Sequence, residues 1–80
     1  MSVIIRFCGP LKQYQPSAAN DAGVWMVDGE GKTIAHLLAQ SSLMGNDMDF
    51  MQLVNGKSVD REFILADGDK VDIMSILVGG

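Results

Sequence analysis

Helical periodicity occurs in a single stretch of this chain, and that limits the fold more than any other feature. Thr33 is placed as a helix N-cap, its hydroxyl able to accept from the orphan amides of the first turn. Ile34, Leu37 and Leu38 follow at i, i+3 and i+4 and build one apolar stripe. Leu43 or Met44 can extend the stripe before Gly45, a C-terminal stop, and the polar turn Asn46-Asp47. A lone amphipathic helix must bury its stripe against another layer, and the remainder of the chain offers only strands.

Those strands read from period-two alternation. Val3 to Cys8 is the first, with Val3, Ile5 and Phe7 on one face and Ile4, Arg6 and Cys8 on the other. Gly9-Pro10 ends it. Leu11 to Ala22 contains Pro16, Ser17, Asn20 and Asp21 with no clear period, which reads as a loop. Val24 to Val27 is a second strand, closed by Asp28-Gly29-Glu30-Gly31. Phe50 to Val54 is a third, meeting the hairpin signal Asn55-Gly56. Val59 and Phe63-Ile64-Leu65 supply short strand or turn pieces, Asp67-Gly68-Asp69 makes a tight turn, and Val71 to Ile76 is the last strand. Two strands, one helix, then two or more strands describe an α+β roll: one mixed sheet packed on one main helix, a single domain over residues 1–80.

Composition narrows what such a domain can do. A chain of 80 residues buries only about 60% of its unfolded surface, which leaves little room for a deep substrate pocket. The net charge of −4 repels phosphate backbones and anionic lipids, so neither nucleic acid nor membrane is an expected partner, and a basic protein fits that charge better. Cys8 is the only cysteine and His36 the only histidine, so no intramolecular disulfide forms and no Cys/His cluster holds zinc. Residues 1–6 lack the basic start and long apolar stretch of a signal peptide, and no apolar run approaches the roughly 20 residues that span a bilayer. A reduced, soluble, cytoplasmic protein is expected.

The chain ends in Gly79-Gly80, and the last strand runs into Ile76-Leu77-Val78-Gly79-Gly80 with no intervening turn. Five extended residues reach about 17 Å. Glycine lacks a Cβ, so this backbone can enter a narrow channel, and the terminal carbonyl is sterically open. A carboxylate is nevertheless a poor acyl donor and must first be activated, typically as an acyl-adenylate made from ATP. No Gly-rich phosphate loop is present, so that chemistry belongs to a partner. Residues 76–80 are expected to form an extended, flexible tail.

Three stretches, Leu53-Val54-Asn55-Gly56-Lys57-Ser58-Val59, Leu65-Ala66-Asp67-Gly68-Asp69-Lys70-Val71 and Ile76-Leu77-Val78-Gly79-Gly80, together resemble the MoaD/ThiS family of sulfur carriers. Gly31-Lys32-Thr33-Ile34-Ala35-His36-Leu37-Leu38 is similar to that family's helix start. The resemblance covers most of the chain and leaves residues 9–22 unmatched. It implies the ubiquitin-like β-grasp fold and a carrier that is not itself an enzyme and binds no cofactor of its own. It implies that Gly80 is adenylated by a ubiquitin-activating-enzyme-like adenylyltransferase that uses ATP, with Gly79, Val78 and Leu77 entering the partner's active site. Gly80 then becomes a thiocarboxylate that donates sulfur to a synthase subunit in cofactor biosynthesis. Molybdopterin-type members often carry prolines before the final glycines, absent here, whereas thiamin-type members usually lack a loop such as 11–22. Length favours the molybdopterin pathway over the thiamin pathway. A protein modifier joined through Gly80 to lysines, and a plain β-grasp binding module, remain alternatives.

Side chains outside the tail divide into ordinary structure and one surface. Cys8 reads as a small hydrophobe, His36 as a surface residue off the apolar stripe, Asp67 and Asp69 as turn chemistry, and Trp25 as packing. On the last strand, Val71 and Ile73 should face the helix, while Met74 and Ile76 share the opposite parity. Met51 and Leu53 alternate with Gln52 and Val54 on the third strand, and Ile4 opposes Val3 and Ile5. One helix leaves one sheet face uncovered, so Met51, Leu53, Met74 and Ile76 are the expected partner interface, unless the segment after Gly9 folds over it.

Overall fold

The computed structural model describes residues 2–41, 43 and 50–76. Its strands are β1 (Val3–Phe7), β2 (Val24–Val27), β3 (Phe50–Val54), β4 (Lys57–Val59) and β5 (Lys70–Ser75), and its helix is α1 (Ile34–Leu38). The sheet order is β2-β1-β5-β3-β4, with β1 and β5 parallel and every other pair antiparallel. The central strand, β5, thus lies beside β1, and these two come from opposite ends of the sequence. This is the mixed α+β roll expected from the pattern.

Alternation decides what is buried. Val3, Ile5 and Phe7 of β1 join Val71 and Ile73 of β5, with Phe50, Val54 and Trp25 beside them, under the stripe Ile34, Leu37 and Leu38. Each aliphatic residue taken fully out of water contributes about 1.5–3 kcal/mol, so this one cluster is the principal source of stability. Gly29 lies at the entry to α1, where an added Cβ would stand 2.7 Å from both Leu37 Cδ1 and Val3 Cγ2. The polar turn read there is also a close-packing point between helix and sheet.

The amides that open α1 are all accounted for. His36 N–H donates to Thr33 Oγ1 at 3.1 Å, as the cap reading requires. Ile34 N–H and Ala35 N–H donate to the carbonyls of Phe63 and Arg61, on the segment that forms an isolated bridge between Thr33 and Ile64. The helix ends sooner than the apolar spacing suggests. Past Leu38, Gln40 N–H and Ser41 N–H bond to Leu37 and Leu38 carbonyls in the tighter i→i+3 pattern, and Ser41 Oγ donates to Leu38 O at 2.8 Å. Leu43 is buried in the core but outside the helix. Met44, Gly45 and the Asn46-Asp47 turn lie outside the described residues.

The segment expected to be a loop from Leu11 to Ala22 begins with a 3-10 helix, Gly9–Tyr14. Leu11 is fully buried and Tyr14 partly buried against the same core. These two are three residues apart, the period of a 3-10 turn, and one short turn leaves no 3.6-residue pattern to detect. Gly9, at φ +57, swings the chain out of β1, which closes at Phe7 rather than Cys8. Cys8 N–H still donates to Ile73 O at 2.9 Å. At the other end of the sheet pairing, β5 begins at Lys70 and ends at Ser75, one residue earlier than read, because Lys70 already pairs with Ile4.

Candidate functional site: an open sheet face and the tail beyond it

Helix α1 and the core occupy one face of the sheet. On the other face, cross-strand register sets the side chains in rows. Met74 stands opposite Met51, and Asp72 opposite Leu53, across β5 and β3. Arg6 lies between Asp72 and Val24, and Ile4 between Lys70 and Met26. Met51 and Leu53 are half-buried; Met74 is 38% exposed, Ile76 45% and Met26 65%. The structure therefore brings together Met51, Leu53 and Met74 on the face away from the helix, with Ile76 exposed just past the end of β5. The 3-10 helix leaves Met26 and Met74 of this face exposed; it inserts Leu11 into the core, and its Gly9 lines the hollow described next.

That hollow, about 190 Å³ and shallow, is lined by Cys8, Gly9, Met74 and Ser75 where β5 gives way to the tail. The Cys8 thiol is half-buried, with its sulfur 4.0 Å from Arg6 O. Gly80, Gly79, Val78 and Leu77 lie outside the described residues, and Ile76 is the last described position before them.

One polar feature interrupts the apolar rows. Arg6 Nε donates to Asp72 Oδ1 at 2.6 Å, with Arg6 exposed and Asp72 largely covered. This hydrogen bond, and secondarily the carboxylate's charge, raise the guanidinium pKa further above its already high value. Such a group loses its contribution only above the ordinary arginine range, so the pair stays ionised on the Arg6 side throughout physiological pH. The pair, and Met26 with it, went unnoticed in the sequence. Arg6 and Asp72 share the parity of Ile4 and Met74, but 66 residues separate them, and only the parallel β1–β5 pairing makes them neighbours.

The remaining candidates are structural. Asp67 Oδ1 accepts from Ser2 N–H at 3.0 Å, and Asp69 accepts from Ala66 N–H and the Asn55 amide, which is turn chemistry. Trp25 is buried and His36 is exposed. Among the described residues no three His, Cys, Asp or Glu side chains converge as a metal site, and no helix is long and apolar enough to cross a membrane.

The model of the ThiS family matches residues 11–80. The chain belongs to the ThiS family. The matched span takes in residues 11–22, which carry none of the motifs that suggested the relationship. The crystal structure of SAMP1 from Haloferax volcanii superposes with a TM-score of 0.69 at 18% identity, covering 100% of both chains. That likeness shows the ubiquitin-like β-grasp fold. No curated protein matches the chain. Family and fold together make it a ubiquitin-like protein of the sulfur-carrier kind.

Proposed function

We propose that this ThiS-family protein carries sulfur as a thiocarboxylate on Gly80 and hands it to a synthase in cofactor biosynthesis, the molybdopterin pathway being favoured over the thiamin pathway by chain length. The observation that carries the reading is the Gly79-Gly80 end, four residues past the last strand of a ThiS-family domain. The Gly80 carboxylate attacks the α-phosphorus of ATP on a ubiquitin-activating-enzyme-like partner, releasing pyrophosphate and leaving an acyl-adenylate. A sulfur nucleophile at the oxidation level of hydrosulfide then adds to that carbonyl and expels AMP. Leu77, Val78 and Gly79 lead the carboxylate into the partner's active site, where glycine's missing side chain admits the backbone. The carrier supplies no catalytic group and no cofactor of its own; ATP is bound by the partner.

Docking precedes this chemistry, because four tail residues offer too little surface to bind tightly. Met51, Leu53, Met74 and Ile76 supply the apolar footprint for the activating enzyme and later for the sulfur-accepting subunit. Methionine suits a surface that must fit both. Intact mass of the protein isolated from its own cells tests the reading. Replacement of one oxygen by sulfur supports the carrier; higher-mass conjugates would make it a modifier, and unmodified protein alone would make it a binding module.

A further inference from the structure

The chain carries a net charge of −4, which by itself favours a basic partner. The open face has the opposite sign. Along the five strands the charged side chains on that face are Arg6, Lys70 and Asp72, a net of +1. The other described acidic residues sit in the connections instead, among them Asp28 after β2, Asp60 and Glu62 after β4, and Asp67 and Asp69 before β5. An acidic protein thus presents a weakly cationic patch on its apolar face, with Arg6 ion-paired to Asp72 and Lys70 exposed across from Ile4.

Arg6 is the focus of that patch. Its side chain is 58% exposed, and Asp72 takes only Nε. The terminal guanidinium nitrogens have no bond among the described residues, so the fork that normally grips a carboxylate with two parallel hydrogen bonds is free. Asp72 holds the planar group in place, which lowers the ordering cost of gripping a ligand. On one side lie Ile4 and Met26, on the other Met74 and Met51. Any protein covering these residues strips water from the fork. It must then offer an acceptor there, since a desolvated guanidinium with unmet donors is costly. A basic footprint would instead face Arg6 and Lys70 at short range.

We propose that the open face docks a partner surface whose apolar side chains frame a carboxylate, and that this carboxylate takes the free fork of Arg6. The inference rests on the docking reading above and names the partner's chemistry. The test uses the purified adenylating enzyme encoded in the same genome, with association rates followed at low and high salt and ATP–pyrophosphate exchange measured alongside. Arg6→Gln should weaken binding about tenfold, with part of the loss in the association rate. Lys70→Gln, an exposed site with no side-chain bond among the described residues, should slow association without touching the fold, as circular dichroism would verify. Asp72→Asn, which removes the one negative charge, should speed association. If Arg6→Gln and Lys70→Gln bind unchanged or faster while wild type is activated normally, the acidic-footprint inference is overturned and the carrier reading stands. If wild type itself is neither bound nor adenylated, both fall together.

Discussion

Asn55 Nδ2 donates to Asp69 Oδ1 at 3.0 Å and so ties together two turns that lie 14 residues apart. The clamp is reciprocal: Asn55 Oδ1 accepts from Lys70 N–H at 3.1 Å, and Asn55 N–H donates to Lys70 O at 2.8 Å. Asp69 Oδ2 in turn accepts from Ala66 N–H at 2.8 Å. The β3–β4 hairpin and the turn before β5 are therefore one unit. It fixes the register in which Met51 meets Met74.

This clamp yields a pair of substitutions that separate two effects. Asn55 has φ +52, so it supplies both side-chain bonds and a left-handed backbone. Asn55→Gly keeps the backbone conformation and loses the bonds, which should cost about 1–2 kcal/mol. Asn55→Ala loses both and should cost roughly 1 kcal/mol more, the penalty for an L-residue in that region. Urea denaturation of the two variants gives the difference. Equal stability of wild type and Asn55→Gly would mean the side-chain bonds contribute nothing.

Those two turns also mark the limit of what sequence could show. Asn55-Gly56 and Asp67-Gly68-Asp69 announce themselves as turns because local backbone chemistry demands those residues, yet nothing local reveals that they bond to each other. The same division runs through the molecule. Phe50–Val54 and Val24–Val27 were legible to the residue, since alternation and flanking glycines are local signals. The 3-10 helix was not, because a single turn burying Leu11 and Tyr14 leaves no sustained period. Parity placed Met51, Leu53 and Met74 away from the helix correctly, since it needs only the strand's own period of two. Arg6 and Asp72 required knowing which strands are neighbours, and that is a property of topology.

The outer edge of β2 supplies a second test. Val24 lies on an edge strand, where unpaired backbone groups invite pairing with another chain. Asn20 occupies them: its N–H donates to Val24 O at 2.9 Å, and its Oδ1 accepts from Val24 N–H at 3.0 Å and Ala22 N–H at 2.9 Å. Asn20→Ala should lower stability by about 1 kcal/mol and speed hydrogen exchange at the Val24 amide. Asn20→Asp keeps the acceptor and should restore protection. Unchanged exchange in the alanine variant would show that the edge is held by other means.

Gly80 carries the chemistry in the functional reading, so altering the end of the chain should separate activity from folding. Deleting Gly80, or adding one residue after it, should abolish ATP-dependent activation. Unfolding free energy should shift by less than about 0.5 kcal/mol. Pyrophosphate exchange and chemical denaturation on the same preparation read the two effects. Normal activation of the truncated chain would remove Gly80 from the mechanism.

The two parities of β5 give the most direct check on the docking face. Ile73 is fully buried beneath the helix, whereas its neighbour Met74 points the other way and is over a third exposed. A carboxylate at position 73 would be buried without a partner, so Ile73→Glu should unfold the domain. Met74→Glu leaves that core untouched and places a charge beside Met51, in the hollow shared with Cys8 and Ser75. Its stability should stay within about 0.5 kcal/mol of wild type. If Met74 is a hot spot of the docked complex, binding to the activating enzyme should fall by about 2 kcal/mol, close to thirtyfold in Kd. Calorimetry measures the binding and circular dichroism the fold. A folded Met74→Glu that binds as tightly as wild type would move the interface off this face, and an unfolded one would mean that Met74 supports the core after all.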